Sequence, residues 1–193
     1  MTDNFNTYIQ HIDSEAWREV CVSKGEPRRY AKGEEFVTAG KVGRYFGFIL
    51  SGTLKYVAYS QDGTEHVMGL VFGDGFVADW PFCLYGKKAK LSIVAVSDCE
   101  IHRISTDTLK ELIAADSNFK DIVTHSTEEL YATVHDRYVA LYTQSPKERY
   151  NELISQHPDL FDLFSLKDIA SFLNITPTHL SRLRKAKHSR VGL

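Results

Sequence analysis

Thr178, Ser181, Arg182 and Lys185 fall on one face of the segment 177–185 if that segment is helical. Short hydroxyls beside long cations on an exposed helix are suited to hydrogen-bond base edges and phosphate oxygens. Other chemistries leave no comparable trace. The sequence has no nucleophile spaced for an adjacent base and no glycine-rich phosphate cradle before a helix. Its eight histidines are scattered without ligand spacing. An enzyme is therefore not the expected class.

Those side chains need a helix pair to hold them, and the flanking residues spell one. Ser165 is a good N-cap and Asp168 places a carboxylate in the first turn. Ile169, Ala170 and Leu173 form one apolar face at helical spacing. Asn174 follows where a helix would end, and asparagine tolerates the left-handed conformation of a sharp exit. Thr176 caps the next helix, Pro177 occupies its first position, and Leu180 and Leu183 turn inward. The pattern is that of a helix-turn-helix. An ordinary helical hairpin is the other reading of this stretch taken alone.

Charge distribution favours the first reading. The 193 residues carry a net −2, but residues 167–193 hold six cations against Asp168, a local +5 that leaves −7 on the rest. An acidic body with a basic tip suits a protein that touches a polyanion with one end. Hydrophobic and charged contents of 43% and 25% are those of a globular protein. No apolar run approaches bilayer length and no signal segment opens the chain, so the expected location is cytoplasmic, with no membrane partner. Cys21, Cys83 and Cys99 are odd in number and far apart, as reduced, buried thiols would be.

Along the chain, residues 3–24 read as helical, first through Phe5, Tyr8, Ile9 and Ile12, then in a second helix capped by Ser14. From Arg28 to Ser105, short alternating runs are broken by glycine, with Asp62-Gly63 as a hairpin turn. Strands at such spacing indicate an antiparallel sandwich or barrel. A short helix follows from Thr106, then one of about 25 residues from Asn118 to Tyr142. Its apolar positions are Phe119, Ile122, Val123, Leu130, Val134, Tyr138 and Leu141, interrupted by Ser126, Thr133 and Arg137. Such a stripe can pack on the barrel or on a twin; a dimer seam is the favoured expectation. Ser145-Pro146-Lys147-Glu148 is a capping box with proline at the first helical position, which marks a hinge at 143–146.

This order of parts resembles the Crp/Fnr family of bacterial transcription regulators over essentially the whole chain. The phrases that carry the resemblance are Lys32-Gly33-Glu34, Phe48-Ile49-Leu50-Ser51-Gly52-Thr53-Leu54, Asp62-Gly63, Gly73-Asp74, Thr143 through Arg149, and Ser165 through Lys185. The fold implied is α+β. An antiparallel β jelly-roll or barrel with flanking helices (1–116) forms a cyclic-nucleotide-binding-like effector domain. A long dimerisation helix and hinge (117–144) and a helix-turn-helix DNA-binding domain (145–193) follow. The implied partners are double-stranded DNA at a pseudo-palindromic operator, a second copy of the chain, RNA polymerase and a small effector. By its place in the family motif, Arg182 is the candidate for a bidentate guanine contact. Thr176, His179, Arg184 and Lys187 are better placed for phosphates.

The departures from the family pattern are as informative. Members that bind cyclic nucleotides carry a Gly-Glu pair and then an arginine that neutralises the cyclic phosphate. Counting on from Gly73-Asp74, those pairs fall here on Ala78-Asp79 and Ala89-Lys90. Without the arginine a buried phosphate lacks its fork of donors, which argues against cyclic AMP and leaves control by another effector, or by none, as the expectation. Phe72, Phe76, Trp80, Phe82 and Tyr85 crowd the same region, either as pocket wall or as core. Ala78, Asp79, Trp80, Ala89 and Lys90 are thus the candidate effector residues. The iron–sulfur members use cysteines near the N-terminus, where only Cys21 stands, which argues against a cluster. Few residues follow the second helix, too few for a β-hairpin wing. That shortness leaves a second class open: a small-molecule- or protein-binding module with a vestigial DNA-binding domain.

Overall fold

The computed structural model describes residues 14–191, with side chains described for 15–186. The helix expected over residues 3–12 lies outside that range. The elements are α1 (Ser14–Lys24), β1 (Glu26–Tyr30), β2 (Glu35–Val37), β3 (Tyr45–Ser51), β4 (Leu54–Tyr59), β5 (Glu65–Val71) and β6 (Gly75–Val77). A 3-10 helix (Phe82–Tyr85) leads to β7 (Ser92–Ala95) and β8 (Cys99–Ser105). Then come α2 (Thr106–Ala115), α3 (Ser117–Thr143), α4 (Pro146–Gln156), α5 (Leu160–Leu163), α6 (Leu166–Phe172) and α7 (Pro177–Val191).

The strands form two four-stranded antiparallel sheets, ordered β1-β8-β3-β6 and β2-β7-β4-β5. This is the antiparallel sandwich that the glycine-punctuated strands predict, in the α+β jelly-roll arrangement that the family resemblance implies. Tyr30, Ile49, Leu54, Ile93 and Ile101 fill the space between the sheets. The Asp62-Gly63 turn forms as expected: Gly63 has φ +81°, and the Asp62 carboxylate accepts from the Thr64 N–H at 3.0 Å. On the outer face of the first sheet, Trp17 of α1 stacks on Phe46 at 4.3 Å between centroids. Its indole N–H donates to Ser126 of α3 at 2.9 Å. Helices α1, α2 and the first half of α3 are thereby fastened to the roll, with Leu109, Phe119 and Val123 beneath them.

The stripe on α3 resolves into two. Phe119, Val123, Ser126, Leu130, Thr133, Arg137, Ala140 and Gln144 alternate at intervals of four and three and face the protein's own chain, buried or half-buried. Ser126 and Arg137 belong to this inward seam as polar fastenings rather than interruptions, while the Thr133 hydroxyl donates to the Glu129 carbonyl of its own helix. Tyr131, Val134, Tyr138 and Tyr142 form a second stripe that is exposed, at 72%, 44%, 60% and 76%.

The C-terminal helices pack on the second sheet. Leu153, Leu160, Ile169, Phe172 and Leu180 join Val67 and Leu70 of β5 in one core. Strand β5 lies at the sheet edge and carries a bulge. Val57 pairs with Val67 and Tyr56 with Gly69, which leaves Met68 as the extra residue. The edge does not remain open. The Val67 N–H donates to Ser171 Oγ of α6 at 2.9 Å, and the Met68 carbonyl accepts from Arg137 of α3 at 2.5 Å.

Candidate functional sites: a helix-turn-helix and a cavity beneath the long helix

The local signals of the helix pair all operate. Ser165 Oγ accepts from the Asp168 N–H, Asn174 takes φ +54°, and Thr176 Oγ1 accepts from the His179 N–H at 3.2 Å. Ser145 and Glu148 close the capping box upstream. Leu180 is fully buried and Leu183 packs against the same core. With that side turned in, Thr176, Thr178, His179, Arg182, Arg184 and Lys185 face solvent. Two expected contacts are modified. Ser181 is half-buried and its hydroxyl donates back to the Pro177 carbonyl at 3.0 Å. The Arg184 guanidinium lies over the Phe161 ring at 4.3 Å. Lys187 lies outside the residues whose side chains are described. Helix α7 does not stop near Lys185 but runs to Val191, because Lys185, Ala186 and Lys187 are good helix formers and no glycine intervenes.

Three residues that the sequence pattern did not single out hold this unit against the roll. Lys55 of β4 donates to Asp168 and to Glu65, each at 2.7 Å. Burial alone would lower the lysine's pKa. The hydrogen bonds and charges of Asp168 and Glu65 outweigh it, and the pKa lies above the ordinary value. Arg137, 9% exposed, bridges the Met68 carbonyl and the Phe172 carbonyl, its guanidinium 3.8 Å from the Phe172 ring. Ser171 caps the strand edge as described. Arg137 carried a signal, since an arginine at an inward heptad position needs buried acceptors. Lys55 and Ser171 carried none, because their partners lie 113 and 104 residues away. The cleft of about 780 Å³ along this seam is lined by Lys55, Asp98, Phe164, Ser165 and Asp168, among others. Its Lys55 and Asp168 are already paired with each other.

A second concavity, of about 220 Å³, lies where α3 crosses the roll. Ala78, Asp79 and Trp80, three of the candidate effector residues, line it, and Phe76 and Phe82 join them. Tyr56, Met68, Leu130 and Val134 complete the wall without any warning in the sequence. Ala89 and Lys90 do not line it. Ala89 belongs to the core between the sheets, its N–H bound to the Lys41 carbonyl, and Lys90 is exposed. Asp79 and Lys90 are thus not brought together in one site. Asp79 is 5% exposed, and its Oδ2 has no hydrogen-bond partner among the described residues. Burial raises its pKa above the ordinary carboxylate value. Of the other aromatics, Phe72 stacks on His157 at 4.1 Å in the seam with the helical unit, and Tyr85 is exposed.

Cys21, Cys83 and Cys99 are free and buried, and the Cys99 thiol donates to the Thr53 and Ser97 carbonyls. Burial pushes Cys21 and Cys83 up to about 12, so neither is a thiolate at neutral pH. No group of three His, Cys, Asp or Glu residues among the described residues is placed to hold a metal ion. No described helix is long and apolar enough to cross a membrane.

A jelly roll, a long bridging helix and a helix-turn-helix in that order define a two-part fold in which a β domain is joined to a small helical unit. Residues 27–116 match the family model described as Cyclic nucleotide-binding domain, and the fold of the whole is similar to that of solved transcription regulators. No curated protein matches the chain by sequence. Among solved structures, FixK2 from Bradyrhizobium japonicum is similar with a TM-score of 0.76 at 16% identity, over 86% of this chain and 85% of that one. The c-di-GMP responsive global regulator CLP of Xanthomonas campestris aligns at 0.67 and 16%, over 92% and 93%. A CRP/FNR family transcriptional regulator from Thermus thermophilus aligns at 0.63 and 16%, over 86% and 87%. At such identities the likeness is one of fold.

Proposed function

We propose that the chain is a sequence-specific DNA-binding transcription regulator of the Crp/Fnr type. It acts as a homodimer and answers to a small effector other than cyclic AMP. The observation that carries this is α7: its inward side is packed on the helical core while Thr178, Arg182 and Lys185 stand in solvent at helical spacing. Two copies joined through the exposed tyrosine stripe of α3 would present two such helices to the half-sites of a pseudo-palindromic operator. Residues 1–116 then hold the effector, 117–144 join the copies and 145–193 read double-stranded DNA. RNA polymerase is the partner through which such a regulator acts, and the cytoplasm is where it meets its operator. The cavity wall supports the exclusion of cyclic AMP: it supplies no lysine, arginine or histidine for a phosphate among its described residues. No catalytic role is assigned, since Asp79 and Tyr56 are the ionisable groups of that wall and the Tyr56 hydroxyl is engaged by the Ala78 carbonyl at 3.0 Å.

The test is a salt titration of binding to a selected operator and to random duplex of equal length. The expected result is a preference for the operator of about a thousandfold or more, with log K falling steeply against log salt for both. Absence of any complex at low salt would sink the proposal and leave a binding module whose DNA unit is vestigial.

A further inference from the structure

The cavity under α3 contains three polar groups, and two are committed to the protein. The Tyr56 hydroxyl donates to the Ala78 carbonyl, and the Trp80 indole N–H donates to Thr127 Oγ1 of α3 at 3.0 Å. Asp79 is the third. Its carboxylate is nineteen-twentieths buried, Oδ2 has no hydrogen-bond partner, and no ion pair reaches it among the described residues. Around it the wall is carbon, from Phe76, Leu91, Leu130 and Val134.

A buried carboxylate without donors is costly. A molecule that enters the cavity and supplies donors recovers that cost, so the wall discriminates by charge. An anionic ligand meets a like charge in apolar surroundings with no cation to offset it. A neutral donor satisfies the hydrogen bond but leaves the charge. A cationic nitrogen answers both, through charge-assisted hydrogen bonds about twice as strong as neutral ones. The Phe76, Trp80 and Phe82 rings add faces that attract a cation. The volume of about 220 Å³ is at the small end for ligand sites and suits a molecule of one or two rings.

We propose that this cavity binds a small aromatic or alicyclic amine, its ammonium group donating to Asp79 and its ring lying among Phe76, Trp80 and Leu130. The proposal rests on the cavity being the effector site of the regulator described above.

Calorimetry on the full chain at neutral pH tests it with three probes of similar size: 2-phenylethylamine, 2-phenylethanol and 3-phenylpropanoate, and with cyclic AMP as a fourth. The amine is expected to bind about tenfold or more tightly than the alcohol, with no heat from phenylpropanoate or cyclic AMP. Asp79→Asn should bring amine and alcohol to within about twofold of each other. Leu130→Trp, which fills the cavity and leaves Asp79 in place, should abolish binding of both. If Asp79→Asn does not fold, the charge order in the unaltered protein decides. Binding of phenylpropanoate or cyclic AMP as tight as the amine, an unchanged amine preference in Asp79→Asn, or no heat from the amine would each overturn the proposal. Operator binding measured on the same preparation keeps the two ideas apart. No DNA complex with the amine preference intact sinks the regulator and spares the cavity chemistry; the reverse pattern sinks the amine alone.

Discussion

Arg182 offers on the exposed face of α7 the planar fork that a guanine edge accepts, whereas Arg184 lies over the Phe161 ring and Lys185 offers a point charge. Arg182→Ala is expected to cost about 1–3 kcal/mol at the operator and to relax preference at one base position, whereas Lys185→Ala should weaken operator and random DNA alike and reduce the salt slope by about one. Competition titrations with single-base variants of the operator separate the two; equal losses on all sequences would make Arg182 a phosphate contact. His157 acts on stability instead. Its ring lies flat on Phe72, and burial holds its pKa below the ordinary 6.5 despite the opposing charge of Asp159. The unfolded chain therefore takes up the proton first. The stability that His157 contributes is complete above pH 6.5 and is lost as pH falls from there toward the folded value. Asp79 works in the opposite sense, since its raised pKa lets the folded state take a proton first. The quantity to compare is thus the thermal midpoint of the wild type and of His157→Phe across about pH 7 to 5. A smaller loss on acidification is expected in the variant, and parallel curves would refute it.

At the scale of elements, α3 has two working faces, and the difference between them was only half legible in the sequence. Its length, its end before the Ser145 capping box and its apolar spacing were readable, because caps and periodicity are local, while the Asp116 cap at its start was not singled out. Which face meets what was not, because Ser126 is matched to Trp17 and Arg137 to Met68 and Phe172, partners more than 30 residues away in sequence. The same division holds elsewhere. Ser165, Asn174, Thr176 and Pro177 announced the helix-turn-helix, and Asp62-Gly63 the hairpin. The Met68 bulge depends on strand register, which no short stretch encodes. Counting along a family pattern found Ala78, Asp79 and Trp80 in the cavity wall, but it misplaced Ala89 and Lys90, where loop geometry intervenes. The outer face of α3 supports a direct prediction. Tyr131→Glu with Tyr138→Glu should convert a dimer to a monomer in sedimentation, with far-ultraviolet circular dichroism unchanged, since both side chains are exposed within the chain. A variant that remains dimeric would place the seam on another surface.

For the molecule as a whole, the cavity and the C-terminal helical unit are linked through Met68 of β5. Met68 lines the cavity and gives its carbonyl to Arg137, which also holds the end of α6 through Phe172. An occupant that shifts the bulge thus alters an acceptor on which the helical unit depends. Arg137→Met should lower stability by about 2–4 kcal/mol in urea titration, since two carbonyls lose a charged donor. A loss under about 0.5 kcal/mol would show that Arg137 does not fasten the seam. The capped edge of β5 carries a further consequence, in time rather than energy. The Val67 amide hydrogen is held by Ser171, a residue of the helical unit, and by nothing in its own sheet on that side. Its exchange with deuterium is therefore a clock for how often the helical unit lifts away from the roll, read at a single position and without any label. Ser171→Ala should speed that exchange while leaving the Gly69 and Val71 amides slow, and an effector that frees the unit should do the same in the unaltered protein.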